Sequence, residues 1–162
     1  MRVRVGQGFD AHRLVEGRAL RLGGIAIPHD RGLAGHSDGD VLLHAVARAL
    51  LGSIAGGDLG EHFPSRDARW RDADSAIFVR EAVRRVAERG FTIANLDATV
   101  IAEAPRLAPH QAAMRRQIAS LVGAALEDVS LQITSTDGLG AIGRGEGIAA
   151  QVVVLLGEGA ER

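Results

Sequence analysis

Three residues of this sequence have the types and spacing to hold a metal ion. Asp10 and His12 are two apart in a stretch with the period of a strand, so both side chains point to one side. His44 follows the polar run His36-Ser-Asp-Gly-Asp40 and lies four residues after Asp40, on the same face of a helical segment. One carboxylate and two imidazoles suit zinc and leave a fourth tetrahedral position for water or a substrate oxygen. Each part also has a plainer reading. His44 on an apolar face reads as a core histidine, Asp10-Ala-His12 as a chance pair, and Asp38-Gly-Asp40 as a helix start. Their coincidence in a chain with six histidines raises the metal reading, and the spacing excludes an EF-hand.

A second cluster lies near the C-terminus. Thr134-Ser-Thr-Asp137 offers three hydroxyls and a carboxylate at a strand end, where a phosphate or a magnesium-bound diphosphate could be gripped. Gly138-Leu-Gly140-Ala-Ile-Gly143 has the G-x-G-x-x-G spacing of dinucleotide sites, but it leads into a β-rich segment instead of a long helix, so that reading is rejected. Its backbone N–H groups could still cradle phosphate with Arg144, or simply form a tight turn. The chain has no cysteine, which removes thiolate ligands and nucleophiles, and no Ser-His-Asp order or nucleophile elbow is evident.

Behind these residues stands a chain of 162 residues with 46% hydrophobic and 24% charged side chains, the composition of one folded domain spanning 1–162. A formal net charge of -1 without a basic stripe argues against nucleic acid as a partner. No window approaches the roughly eighteen apolar residues of a membrane span, and the expected location is cytoplasmic. With 3% aromatic residues and 21 glycines, the core is expected to be Ala, Val, Leu and Ile.

Period-two alternation predicts a strand over 2–9, with Asp10 and His12 at its end, and Gly23-Gly24 marks a hairpin within 20–28. Helical spacing predicts a helix to about Ile54, capped by Ser37 or Asp38, and a clearer one after Asp74 that stops at Gly90. Asp58 to Asp67 reads as a polar loop. A strand over 91–102, a helix from Pro109 to Gly123, and strands near 131–136 and 148–156 complete a two-layer α/β sandwich. The continuous apolar run Val152 to Leu156 implies burial on both faces, although three helices cover about one. A homo-oligomer packed sheet to sheet, a Gly-rich edge, or loops could supply the other cover.

Taken together, Gly8-Phe-Asp-Ala-His-Arg13, His36-Ser-Asp-Gly-Asp-Val-Leu-Leu-His44, Asp58-Leu-Gly60, Phe63-Pro64, Ala104-Pro-Arg106 and Gly143-Arg-Gly-Glu-Gly147 resemble the 2-C-methyl-D-erythritol 2,4-cyclodiphosphate synthase family over nearly the whole chain. The resemblance implies a ferredoxin-like α/β fold, its mixed sheet covered by helices on one face and packed in a homotrimer on the other, with active sites between subunits. It implies cyclisation of 4-diphosphocytidyl-2-C-methyl-D-erythritol 2-phosphate with loss of CMP. By motif, Asp10, His12 and His44 would bind zinc, and His36 and Ser37 would contact phosphate. Asp58, Leu59, Gly60, Phe63, Pro64 and Asp67 would line the methylerythritol site, and Ala102, Ala104, Pro105, Arg106 and Leu107 the cytidine site. Thr134, Ser135, Asp137 and Arg144 would handle the diphosphate with magnesium or manganese, His36 and Ser135 acting as charge stabilisers.

Four positions depart from the family pattern. Ser135 stands for the usual Thr, Asp137 for Glu, Ala141 for Phe and Ser65 for a frequent Asp. Asp137 would reach magnesium through water, and Ala141 alters the lining expected along a trimer axis. None removes a metal ligand. Two rival readings use the same three ligands: a zinc phosphoesterase that activates water, and a trimeric metal-binding or nucleotide-sensing module without catalysis.

Overall fold

Alternation at the N-terminus runs further than its apolar pattern suggests. In the computed structural model, which describes residues 2–159, strand β1 spans Val3–Glu16. Asp10 and His12 are therefore inside a strand, not at its end, and their polarity hides the continuation. Pairing decides the length: β1 runs antiparallel to the last strand, β7 (Gly147–Glu158), from Val3↔Gly157 to Arg13↔Gly147. Leu20–Leu22 (β2) and Ile25–Ile27 (β3) form the expected hairpin about Gly23-Gly24, both glycines at positive φ. Arg31–Leu33 (β4) then pairs with the far end of β1, a short strand the pattern did not announce.

Helix α1 (Val41–Ser53) begins at Asp40, whose carboxylate accepts the N–H of Leu43. The same carboxylate accepts the N–H groups of Gly23 and Gly24 at 3.0 and 2.7 Å, fastening the hairpin turn to the helix start. Asp40, rather than Ser37 or Asp38, is thus the cap. Complete burial pushes its carboxyl above the ordinary range, while the N–H donations pull the other way. Within the expected polar loop, Asp58 caps a one-turn helix, α2 (Leu59–His62). Helix α3 (Ala76–Glu88) follows Ser75, whose backbone is already helical and whose hydroxyl makes no cap bond; the carboxylate of Asp74 accepts the N–H of Ala76 and supplies the expected cap.

Strand β5 (Phe91–Ile101), helix α4 (Gln111–Val122), strand β6 (Val129–Thr134) and a one-turn helix α5 (Gly140–Gly143) lead into β7. A 3-10 turn at Ala108–His110 precedes α4, so the helix proper starts after Pro109, and Gly123 ends it in the left-handed conformation. The sheet order is β4-β1-β7-β5-β6, with β5 and β6 parallel and the other neighbours antiparallel. This mixed sheet with helices on one face is the expected fold class.

The core lies between that face and α1, α3 and α4, built from residues such as Leu42, Leu50, Val79, Leu96, Ile118, Val152 and Val154. The opposite face is bare in the single chain. Val3, Val5, Phe9 and Val153 are 53%, 65%, 56% and 42% exposed, so the Val152 to Leu156 run is buried on its helix side and open at Val153.

Candidate active site

The site begins with two glycines. A Cβ on Gly6 would sit 2.0 Å from the carbonyl oxygen of Ala49, and one on Gly8 2.0 Å from that of Ala45, so α1 rests directly on the backbone of β1. Asp10 and His12 continue the same helix-facing side of β1, and the close approach brings them to His44 in the first turn of α1. Asp10 Oδ2 lies 3.1 Å from His12 Nε2 and 3.1 Å from His44 Nδ1. One potential ligand atom from each residue falls within 4.8 Å of the others. A tetrahedral zinc with bonds of about 2.0–2.1 Å spaces its ligand atoms about 3.3 Å apart, so little movement is needed.

Hydrogen bonding fixes which nitrogen of His44 faces Asp10. Its Nε2 meets Ser75 Oγ at 2.9 Å and Ser37 Oγ at 3.0 Å. Ser75 spends its own hydroxyl hydrogen on Asp38 Oδ1, so its oxygen must accept, and His44 Nε2 carries the proton. The Nδ1 lone pair then points at the Asp10 carboxylate. Burial raises the Asp10 pKa, but the neighbouring imidazoles of His12 and His44 outweigh it and hold the carboxyl well below the usual range. An ionised carboxylate facing a lone pair needs a cation between them, a proton or a metal ion. The three residues fit a divalent metal on this ground.

A second layer holds the polar run in place. Asp72 N donates to His36 O and Asp38 N to Ala73 O, stitching residues 36–38 to the approach to α3, while Arg18 donates to the carbonyls of Gly35 and Ser37. His36 Nε2 lies 3.1 Å from the Asp67 carbonyl, which can only accept, so Nε2 donates there and Nδ1 is the nitrogen left to meet another group. Asp67 itself pairs with Arg69, which holds its carboxyl below the ordinary range.

These groups line a cleft of about 240 Å³. Asp10, His12, His36, Ser37 and His44 form its polar side, Leu59, Gly60 and Phe63 another wall, and Trp70 and Phe78 close it. Phe63 packs on Phe78 at 4.5 Å between ring centres and edge-on to Trp70 at 5.1 Å. Asp58 accepts the N–H of Glu61 as the cap of α2. Pro64 and Asp67 border this region in sequence without lining the cleft. Sequence reasoning missed Ser75, Trp70 and Phe78: Ser75 sits among ordinary cap residues, Trp70 in a charged loop, and Phe78 in a helix stripe that reads as core.

The remaining expected residues gather elsewhere. Ala102 N donates to Thr134 O, which places the 102–107 segment, with Ala104, Pro105, Arg106 and Leu107, beside Thr134, Ser135 and Asp137 at the ends of β5 and β6. Asp137 takes a left-handed φ of 52°, a conformation Asp tolerates, and its N–H donates to Ser135 Oγ. Arg144 pairs with Glu146 just before β7. In register, Asp10 lies opposite Ala150, Ala150 opposite Val100, and Val100 opposite Ile133. Three strand spacings, about 14 Å, therefore separate the metal-ligand cluster from the hydroxyl cluster within one chain.

Fold and site together define a mixed α/β sandwich that carries, at a cleft, an Asp-His-His cluster that could hold a metal ion. This chain has known relatives. The chain belongs to the YgbB family, whose model matches residues 3–157. A protein of Moorella thermoacetica, 57% identical over 154 residues, 95% of this chain and 94% of its own, is named 2-C-methyl-D-erythritol 2,4-cyclodiphosphate synthase. A solved structure of that synthase with CDP bound matches with a TM-score of 0.88 and 38% identity over 95% of this chain and 100% of its own. The bifunctional IspDF of Campylobacter jejuni matches with a TM-score of 0.92 and 38% identity over 97% of this chain, which spans 42% of that longer protein.

Proposed function

We propose that this chain converts 4-diphosphocytidyl-2-C-methyl-D-erythritol 2-phosphate to 2-C-methyl-D-erythritol 2,4-cyclodiphosphate and CMP, a phosphorus-oxygen lyase step of non-mevalonate isoprenoid biosynthesis. The observation that carries this reading is the Asp10, His12 and His44 cluster at the cleft of a YgbB-family chain. An oxygen of the 2-phosphate attacks the β-phosphorus, the bond from that phosphorus to the bridging oxygen breaks, and CMP leaves with that oxygen. A phosphate monoester with a second pKa of about 6 is largely dianionic at neutral pH, so no general base is required. The barrier is repulsion between anions.

Asp10, His12 and His44 would hold zinc, which when bound neutralises phosphate charge and polarises phosphorus. His36 presents a ring and Ser37 a hydroxyl to phosphate oxygens, and the Leu59, Gly60 and Phe63 wall excludes water from the sugar alcohol. Asp58, Pro64 and Asp67, next to this wall in sequence, would meet the substrate hydroxyls at its border. Backbone groups of Ala102, Ala104, Pro105, Arg106 and Leu107 hold cytidine. Thr134, Ser135, Asp137 and Arg144 would hold the diphosphate together with magnesium or manganese, and Ser135 and His36 would stabilise charge. The work is positioning and electrostatics, as in phosphoryl transfer generally.

The separation of about 14 Å between the two clusters supports completion of the site by a second copy of the chain, in a homotrimer packed on the bare sheet face. Cytoplasmic residence is part of the same proposal. Chromatography of the reaction with zinc and magnesium, run beside an EDTA-treated sample, tests it. The expected result is CMP together with a cyclic diphosphate, suppressed by the chelator; a linear hydrolysis product in place of the cyclic one would favour the zinc phosphoesterase.

A further inference from the structure

Arg48 enters the cleft from α1 one turn beyond His44, on the same face of the helix. Its Nε is buried and has no hydrogen-bond partner among the described residues. The nearest acid is Asp10, whose Oδ2 lies 4.0 Å from Nε, inside ion-pair range but beyond hydrogen-bond reach. Asp10 is already shared by two imidazoles. A guanidinium has five N–H donors, no acceptor and a charge at every working pH, and although its far end reaches solvent, the buried Nε–H needs an acceptor that the described residues do not supply. A metal on Asp10 would take up the carboxylate charge and place two cationic centres side by side. The ligand chemistry that satisfies both is a multiply charged oxyanion lying between them.

We propose that Arg48 is a phosphate-binding residue of this cleft, donating to an oxygen of the phosphoryl group that reaches the metal site. The proposal rests on the substrate class assigned above. Its test is independent of turnover: calorimetric titration of CDP into zinc-loaded wild type, Arg48→Met and Arg48→Lys, with zinc affinity measured separately by chelator competition. The expected result is CDP binding weakened tenfold or more in Arg48→Met and less in Arg48→Lys, with zinc affinity retained. Equal CDP affinity in Arg48→Met and wild type would overturn the assignment, as would a parallel loss of zinc affinity, which would make Arg48 a support for Asp10. If Arg48→Met does not fold, Arg48→Lys decides: it keeps the charge and loses the planar fork, and unchanged CDP affinity there overturns the proposal. Wild type that binds CDP in this Arg48-dependent way but releases no CMP would sink the synthase reading alone.

Discussion

At the scale of single residues the site depends on one proton. His44 carries it on Nε2 because Ser75 must accept, Ser75 having given its own hydrogen to Asp38. Ser75→Ala removes that acceptor and is expected to lower zinc affinity about 10- to 100-fold, as loss of an outer partner of a metal-bound histidine does. Chelator-competition titration reads this directly, and Ser75→Thr should recover most of it; equal affinity in Ser75→Ala and wild type would remove the serine from the account. The three ligands themselves were legible because strand and helix periods place Asp10 with His12, and His44 on a helix face. Ser75 was not legible, since it reaches His44 across 31 positions through folding alone. Trp70 and Phe78 escaped for the same reason, each having a sufficient local explanation as loop or core.

At the scale of elements, the site is set by how closely α1 lies on β1. Gly8→Ala would drive a methyl into the Ala45 carbonyl and lift the helix that carries His44. The expected cost is about 1–3 kcal/mol in urea unfolding, with weaker zinc binding in the folded fraction. Retention of both wild-type values would mean that the contact is not needed. Helix α3 offers a pH test. Hydrogen bonding from Arg84 is the main reason Glu81 is held at about 2, from an ordinary 4.5, with Arg85 adding to it. A folded value below the unfolded one means that this stabilisation is present above pH 4.5 and is lost as pH falls toward 2. For so exposed a cluster it amounts to about 0.5 kcal/mol. The stability gap between wild type and Glu81→Gln should therefore be measurable by chemical denaturation at pH 7 and shrink at pH 3. The three long helices and the hairpin were readable from period and turn residues, whereas the one-turn helices α2 and α5 are too short to show a period. The true length of β1 was not, because pairing with β7 carries the strand through Asp10 and His12, where the apolar pattern stops. The Asp40 cap was obscured by three adjacent candidates, Ser37, Asp38 and Asp40, and the docked Gly23-Gly24 turn decides among them.

At the scale of the whole molecule, one sheet face is open and carries an apolar patch on β1 and β7, with Val3, Val5, Phe9 and Val153, and the hydroxyl cluster stands apart from the metal ligands. The apolar run in β7 announced that face, but nothing in one chain's periodicity says what covers it. Val5→Lys combined with Val153→Lys is expected to dissociate the proposed trimer in sedimentation velocity and to abolish turnover while the monomer keeps its zinc site. A wild-type monomer that turns over at full rate would remove the second copy from the mechanism. In the proposed mechanism a divalent metal on Asp10, His12 and His44 directs cyclisation. Phosphorus NMR of the zinc- and magnesium-loaded protein with the cytidyl substrate, beside folded His44→Ala, tests it most directly. Wild type is expected to give CMP and a cyclic diphosphate and the variant to leave the substrate intact; intact substrate with fully metallated wild type, or equal conversion by His44→Ala, would overturn the metal-directed mechanism.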